Sequence, residues 1–253
     1  MMVYKTPDEI ELMDEANRIV HRVLDRMSVL IEPGITTVAL DIEAEAMIRD
    51  AGGVPAFLNY RGFPGTLCTS INDVIVHGIP GEHAMEMGDI VGIDCGVVFK
   101  GYYGDAARTY AVGDDVDEEA RRLLTVTSES LELAIDAVRP GGRLSDIGNA
   151  VESHVEAHGY SVVREFVGHG IGTALHEEPQ VPNFGAPGRG LRLKPGLVLA
   201  IEPMVNIGDA GVKVDSDGWT ARTKDGSLSA HFECSVAVTE KGHKALGRLA
   251  QAA

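Results

Sequence analysis

Four carboxylates in this chain of 253 residues stand where carboxylates are least expected. In VGIDCGVVFKGYYGDAART, from Val91 to Thr109, the positions Val91, Ile93, Cys95 and Val97 are apolar and read as one buried strand face. Asp94 shares the opposite face with Gly92 and Gly96, which leave space beside it. A turn near Phe99 to Gly101 would pair this strand antiparallel with the next and set Asp94 roughly opposite Asp105. Opposed like charges repel. At ~5 Å and an effective dielectric of ~20 the repulsion is roughly 3 kcal/mol, a sizeable share of a domain's net stability, and a cation or a shared proton is the usual remedy.

The same design recurs twice. Glu202 lies between Ala200 and Met204, with Leu199, Ile201 and Val205 on the other face; Glu233 lies between His231 and Ser235, with Phe232, Cys234 and Val236 opposite. Four such charges in one cavity cannot all ionise unpaired, but two divalent cations would cancel them. An oxygen-rich set suits Mn(II), Fe(II) or Co(II) better than a structural zinc. Surface ion pairs are the alternative, and no facing Lys or Arg is evident for any of the four. One nitrogen ligand would complete the set. His169, in FVGHGIG, is the leading candidate because Gly168, Gly170 and Gly172 let the backbone approach closely; His176 and His77 also sit beside Gly or Glu in apolar context. His21, His83, His154 and His158 read instead as hydrogen-bonded or surface residues. HEEPQ at His176 to Gln180 is not H-E-x-x-H, and neither a G-x-S-x-G elbow nor a G-x-x-x-x-G-K-[ST] loop is present.

The elements that must position these side chains are legible. Thr6-Pro7-Asp8-Glu9 is a capping box opening a helix with Ile10, Met13, Val20, Val23, Leu24 and Met27 toward the core, ended by Glu32-Pro33-Gly34. Further helices are expected over about 37–51, 117–138 and 145–158, with strands between them. Sliding the chain by 107 residues puts Pro33 on Pro140, Gly34 on Gly141, Glu45 on Glu152 and Gly52 on Gly159, and the stripe Leu40, Ala44, Ile48 on Ile147, Val151, Val155. At 108, GDIVGID falls on GLVLAIE, so an acidic residue ends both strands. A duplicated unit of helix and strands follows, folded as one domain with pseudo-twofold symmetry.

Composition bounds the remaining choices. Hydrophobic residues make up 44% and charged residues 24%, an ordinary globular profile. Lys and Arg total 22 against 38 Asp and Glu, a net charge of -16, and no basic run could track phosphates, so direct nucleic-acid binding is not expected. Charged residues punctuate the first thirty positions, leaving no apolar run of signal-peptide or membrane-spanning length; a cytoplasmic address is the default. Cys68, Cys95 and Cys234 are odd in number and far apart, and read as reduced, mostly buried thiols.

Taken together, INDVIVHGIP, GIDCG, GDAARTY, GHGIG, HEEPQVPN, AIEPM and WTARTKDGSLSAHFE resemble, in order and approximate spacing, the methionine aminopeptidases of type I, from the first helix to about Leu246. The resemblance implies an α+β chain with the pita-bread fold, an antiparallel sheet backed by helices with internal pseudo-twofold symmetry. It implies a single catalytic domain over 1–253, with a first helix over 6–30 and halves over about 33–113 and 140–240. The implied ligands of two divalent ions (Co, Mn, Fe, Zn or Ni) are Asp94, Asp105, His169, Glu202 and Glu233. His77 and His176 match substrate-facing histidines, and Glu202 would also carry a proton. The implied activity is removal of the initiator methionine from nascent polypeptides whose second residue is small. Tyr60, Phe63, Cys68 and Trp219 fit the methionine pocket; Phe57 stands where a smaller residue is common, Leu175 replaces an aromatic and Arg61 a histidine. Asn72, Val74 and Ser229 match positions that hold a Na or K ion in relatives.

Prolidase and aminopeptidase P share the metal set but carry a domain upstream, for which one helix before Pro33 leaves no room. Type II enzymes insert a helical segment before the last glutamate, and thirty-one residues from Glu202 to Glu233 are too few for it. A non-catalytic protein-binding relative would typically have lost ligands, and all five positions are intact. A monomer is expected, with at most transient ribosome contact. Co-sedimentation with ribosomal RNA at low salt should show no binding; tight, salt-sensitive binding would contradict the charge argument.

Overall fold

The computed structural model describes residues 2–248. Helix α1 (Pro7–Leu30) begins at the expected capping box, where Thr6 Oγ1 accepts the Glu9 N–H at 3.3 Å and the Glu9 carboxylate accepts the Thr6 N–H at 2.7 Å. Met13, Val20, Val23, Leu24 and Met27 are buried; Ile10 is half-buried. Helices α2 (Thr37–Asp50), α3 (Glu118–Ala137) and α4 (Leu144–Ala157) follow within a residue or two of their expected bounds. Both α2 and α4 have fourteen residues, start 107 apart, and bury Leu40, Ala44, Ile48 and Ile147, Val151, Val155 respectively.

The strands are β1 (Val54–Pro55), β2 (Leu67–Ile71), β3 (Val74–Val76), β4 (Ile90–Phe99) and β5 (Tyr102–Ala111), then β6 (Ser161–Val162), β7 (Gly168–Gly170), β8 (Glu177–Val181), β9 (Val198–Ile201), β10 (Met204–Asn206), β11 (Val212–Val214), β12 (Ala221–Thr223), β13 (Ser229–His231), β14 (Cys234–Val238) and β15 (His243–Ala245). Every pairing between them is antiparallel. They do not make one continuous sheet. β4 carries β5 on one edge and β1 with β2 on the other; β15-β14-β9-β7-β8 form a second sheet, and β13-β10-β6 and β11-β12-β3 form two smaller ones. The apolar face of β4, Val91, Ile93, Cys95 and Val97, packs with α1 and α2 into one core, so Asp94 points away from the helices. A second core joins α3 and α4 to β9 and β14.

The two halves are stitched along β5. The Glu233 N–H donates to Ala107 O at 2.9 Å, Ser235 Oγ donates to Asp105 O at 2.9 Å, and Thr109 Oγ1 donates to His231 O at 2.8 Å. These bonds satisfy the outer edge of β5, which otherwise would end in open backbone donors and acceptors.

Three sequence expectations need correction. The β4–β5 turn has two residues, Lys100 (φ 51°) and Gly101 (φ 85°), which sets Phe99 against Tyr102 and therefore Asp94 against Ala107 and Asp105 against Gly96. The two aspartates are diagonal neighbours rather than directly opposed. Glu202 and Glu233 are not strand-centred: Glu202 falls in the gap between β9 and β10, where Pro203 has no N–H for the ladder, and Glu233 in the gap between β13 and β14, its N–H given to Ala107. Nor does Asp94 end its strand, since β4 runs on to Phe99.

Close packing of α1 on β5 sets the position of Asp105. A Cβ on Gly104 would lie 2.7 Å from the Asn17 nitrogen and 2.8 Å from the Ala16 carbonyl carbon, and Asn17 Oδ1 accepts the Asp105 N–H at 3.2 Å. Gly104→Val should therefore destabilise the protein by about 2 kcal/mol or more in urea unfolding. A curve overlaying that of the parent protein would mean that α1 has room to spare.

Candidate metal centre

The site is a row of residues across the seam. Cys68 and Ala107 flank Asp94 on the neighbouring strands, and Glu233 bonds to Ala107 from the other half. Beyond the gaps, β9–β10 and β13–β14 keep one register, Ile201 opposite Cys234 and Met204 opposite His231, which sets Glu202 across from Glu233. Ala107, buried and small, leaves the middle of the row open. Asp105 lies two residues before Ala107, on its face of β5. On β7, His169 pairs with Ala200, two residues before Glu202. Its Nδ1 bonds to Gly170 O at 3.0 Å, which puts the proton on Nδ1 and turns Nε2 toward the acids. Nε2 is 3.6 Å from Glu202 Oε1 and 3.9 Å from Asp105 Oδ2. Donor atoms of Asp105, His169 and Glu233 lie within 4.8 Å of one another.

No lysine or arginine among the described residues neutralises this cluster. Among the described residues the only ion-pair partners of the four acids are imidazoles, and Asp94 Oδ1, Asp105 Oδ1 and Glu233 Oε1 are buried with no hydrogen-bond partner. Burial pushes the carboxyl of Asp94 up to about 7. Asp105, Glu202 and Glu233 are also raised, by burial first and then by the charges of their acidic neighbours. Burial lowers His169 to about 4, so its imidazole is neutral and able to ligate. Buried oxygens without partners, beside one neutral imidazole, are a donor set that fits divalent cations.

A pocket of about 180 Å³ opens onto the row. Tyr60, Phe63, Cys68 and Trp219 line it together with Asp94, Asp105, His169, Glu202, Glu233, His77 and His176; Phe57, Arg61 and Leu175 complete the wall. Phe57 occupies the space that Gly96 leaves free, since a Cβ there would come within 2.5 Å of its ring. Phe63 meets Trp219 edge to face at 5.2 Å. Tyr60 OH bonds to His176 Nδ1 at 2.8 Å, and the rings of His176 and His169 lie 4.3 Å apart. His77, at φ 61°, sets its ring against Phe166 at 5.3 Å and Trp219 at 6.4 Å. Burial lowers His77 to about 4, and burial with the nearby Arg61 charge lowers His176. The three thiols are buried and free.

Sequence reasoning passed over His231, whose Nε2 lies 3.7 Å from Glu202 Oε2. Strand alternation two residues before Glu233 would have pointed to it. Phe166 beside His77 was missed as well, and no spacing rule signals it. Asn72 and Ser229 are adjacent through the Ser229 N–H donated to Asn72 O at 2.9 Å; Asn72 and Val74 line a separate polar pocket of about 340 Å³ that Ser229 does not reach.

The family described as Metallopeptidase family M24 matches residues 11–240. The chain is 49% identical to methionine aminopeptidase 1 of Bacillus subtilis over 249 residues, covering 98% of this chain and 100% of that protein. It is 49% identical to the methionine aminopeptidase of Clostridium perfringens over 246 residues, covering 97% and 98%. The crystal structure of methionine aminopeptidase from Thermotoga maritima matches with a TM-score of 0.96 at 44% identity, over 98% of this chain and 100% of that one.

The raised carboxyls carry a stability cost with a defined pH window. Asp94 titrates near 7 when folded and near ~3.9 when unfolded, so the folded state binds the extra proton between those values and stability falls as pH rises through them. In chelator, Asp94→Asn should melt several degrees above the parent protein at about pH 8 and alongside it at about pH 4. Excess Mn(II) should raise the parent's midpoint more than the variant's. Equal midpoints at the higher pH would refute the cost of burying the Asp94 charge.

Proposed function

The chain belongs to metallopeptidase family M24 and has the pita-bread fold, and on that premise we propose that it removes the initiator methionine from nascent polypeptides. One observation carries the reading: unpartnered buried carboxylates and a neutral imidazole converge at the floor of an aromatic pocket rimmed by two neutral histidines. Asp94, Asp105, His169, Glu202 and Glu233 would hold two divalent ions, which when bound supply a Lewis acid for the scissile carbonyl and a water acidic enough to attack at neutral pH.

The protein's own groups do the rest. Glu202 takes a proton from the attacking water and delivers it to the leaving nitrogen, a role that its place across from Glu233 and near Asp94 supports. His176 steadies the developing oxyanion: Nδ1 is engaged by Tyr60 OH, so Nε2 carries the N–H that can donate. His77 hydrogen-bonds the substrate at the scissile amide. Tyr60, Phe63, Cys68 and Trp219 take the methionine side chain, with Phe57 and Leu175 closing the wall. Crowding beyond the scissile amide limits the second residue to small side chains.

The short gap between Glu202 and Glu233 favours type I over type II. Retention of all five ligand positions disfavours a purely binding role. In this reading the segments 33–113 and 140–240 are two copies of one unit within a single catalytic domain, and the site is their seam. Asn72, Val74 and Ser229 hold a Na or K ion, and the enzyme works as a cytoplasmic monomer with transient ribosome contact. No described helix is long and apolar enough to cross a membrane.

Metal-free protein reconstituted with Mn(II) or Co(II) should release methionine from Met-Ala-Ser and not from Met-Leu-Ser, and Glu202→Ala or His169→Ala should abolish turnover. Undiminished activity after thorough chelation would end the metal reading.

A further inference from the structure

His231 is a buried histidine beside the cluster to which the mechanism above gives no task. It is 4% exposed, and its Nε2 is buried with no hydrogen-bond partner. An unpaired polar atom in that position is costly unless something meets it. The group nearest to pairing with it is Glu202 Oε2, 3.7 Å away, whereas the other oxygen of that carboxylate, Oε1, faces His169 Nε2 at 3.6 Å. A carboxylate that ligates a metal ion is ionised and only accepts, so the tautomer that serves both atoms in the loaded site is the one with the proton on Nε2. The separation is longer than a hydrogen bond, as such contacts commonly are before a site is loaded and its carboxylates tighten.

The backbone holds this imidazole in place independently of its side chain. The His231 N–H donates to Thr109 Oγ1 at 2.9 Å, the same hydroxyl donates to His231 O at 2.8 Å, and Met204 pairs with His231 across the ladder. The ring is therefore carried by the seam itself.

We propose that His231 is a positioning residue, which holds Oε2 of Glu202 through its Nε2–H and so keeps Oε1 turned toward His169 and the rest of the cluster. This deepens the peptidase reading and rests on it for the consequence in turnover, but the orientation of Glu202 has a consequence of its own in metal affinity.

Both are measurable on the full-length protein with His231→Leu, which removes the donor, and His231→Gln, which keeps an N–H of similar reach. Calorimetric titration of metal-free protein with Mn(II) should show affinity weakened about tenfold or more in His231→Leu and restored toward the parent value in His231→Gln. On Met-Ala-Ser, His231→Leu should lose about tenfold or more in kcat with KM changed less than about twofold, and His231→Gln should recover kcat. A Leu variant with parental affinity and kcat overturns the proposal, as does a Gln variant impaired as much as the Leu one. Should His231→Leu fail to fold, His231→Ala carries the same comparison. Parent protein that binds Mn(II) and loses affinity on His231→Leu, yet releases no methionine, counts against the peptidase reading alone.

Discussion

Four carboxyl groups share a buried seam in which, among the described residues, no lysine or arginine pairs with them. Among the described residues, only the imidazoles of His169 and His231 come within ion-pair distance of them, and three of their oxygens have no hydrogen-bond partner. Burial raises all four carboxyls, and the charges of acidic neighbours raise Asp105, Glu202 and Glu233 further. The rest of the molecule is arranged to tolerate that arrangement: two apolar cores lie outside the seam, and the helices cover only the faces that carry no acid. Stability is concentrated in those cores, away from the chemistry.

The seam is built by giving up regular sheet where the acids sit. Asp94 and Asp105 are held by a hairpin of two ten-residue strands, but Glu202 and Glu233 occupy interruptions of their ladders. At one interruption Pro203 cannot donate; at the other the Glu233 N–H is redirected to Ala107 in the opposite half. The redirected bond ties the two halves together and brings their acids into one row. Ala107 at its centre keeps the space between Asp94 and Glu233 open, a role that its small side chain alone can fill.

Neutral histidines surround the acids rather than charged ones. His77, His169 and His231 are each lowered well below the usual imidazole range by burial, and His176 is lowered by burial and the Arg61 charge. Each then has one N–H and one lone pair, and its neighbour decides which nitrogen has which: Gly170 O for His169, Tyr60 OH for His176. Charged imidazoles would have paired with the carboxylates and closed the cluster against cations. The wall of the pocket shows a comparable exchange of space, with Phe57 seated over the side-chain-free Gly96.

The alternation around Asp94 and Asp105, the Thr6 capping box and the stripes Leu40-Ala44-Ile48 and Ile147-Val151-Val155 were legible from the chain alone, because each depends on contacts within a few residues or on a strict period. The acid set and the glycines around His169 were legible too, since a carboxylate in an apolar run conflicts with its local environment wherever the chain goes. Register was not. Placing the two-residue turn at Lys100-Gly101 rather than one position earlier moves Asp105 from opposite Asp94 to a diagonal, and nothing in the periodicity of either strand distinguishes the two. The breaks at Glu202 and Glu233, the separation of the strands into several sheets and the approach of His231 to Glu202 were decided by bonds between residues more than a hundred positions apart, or by the meeting of two strands, and only the folded chain brings those partners within reach.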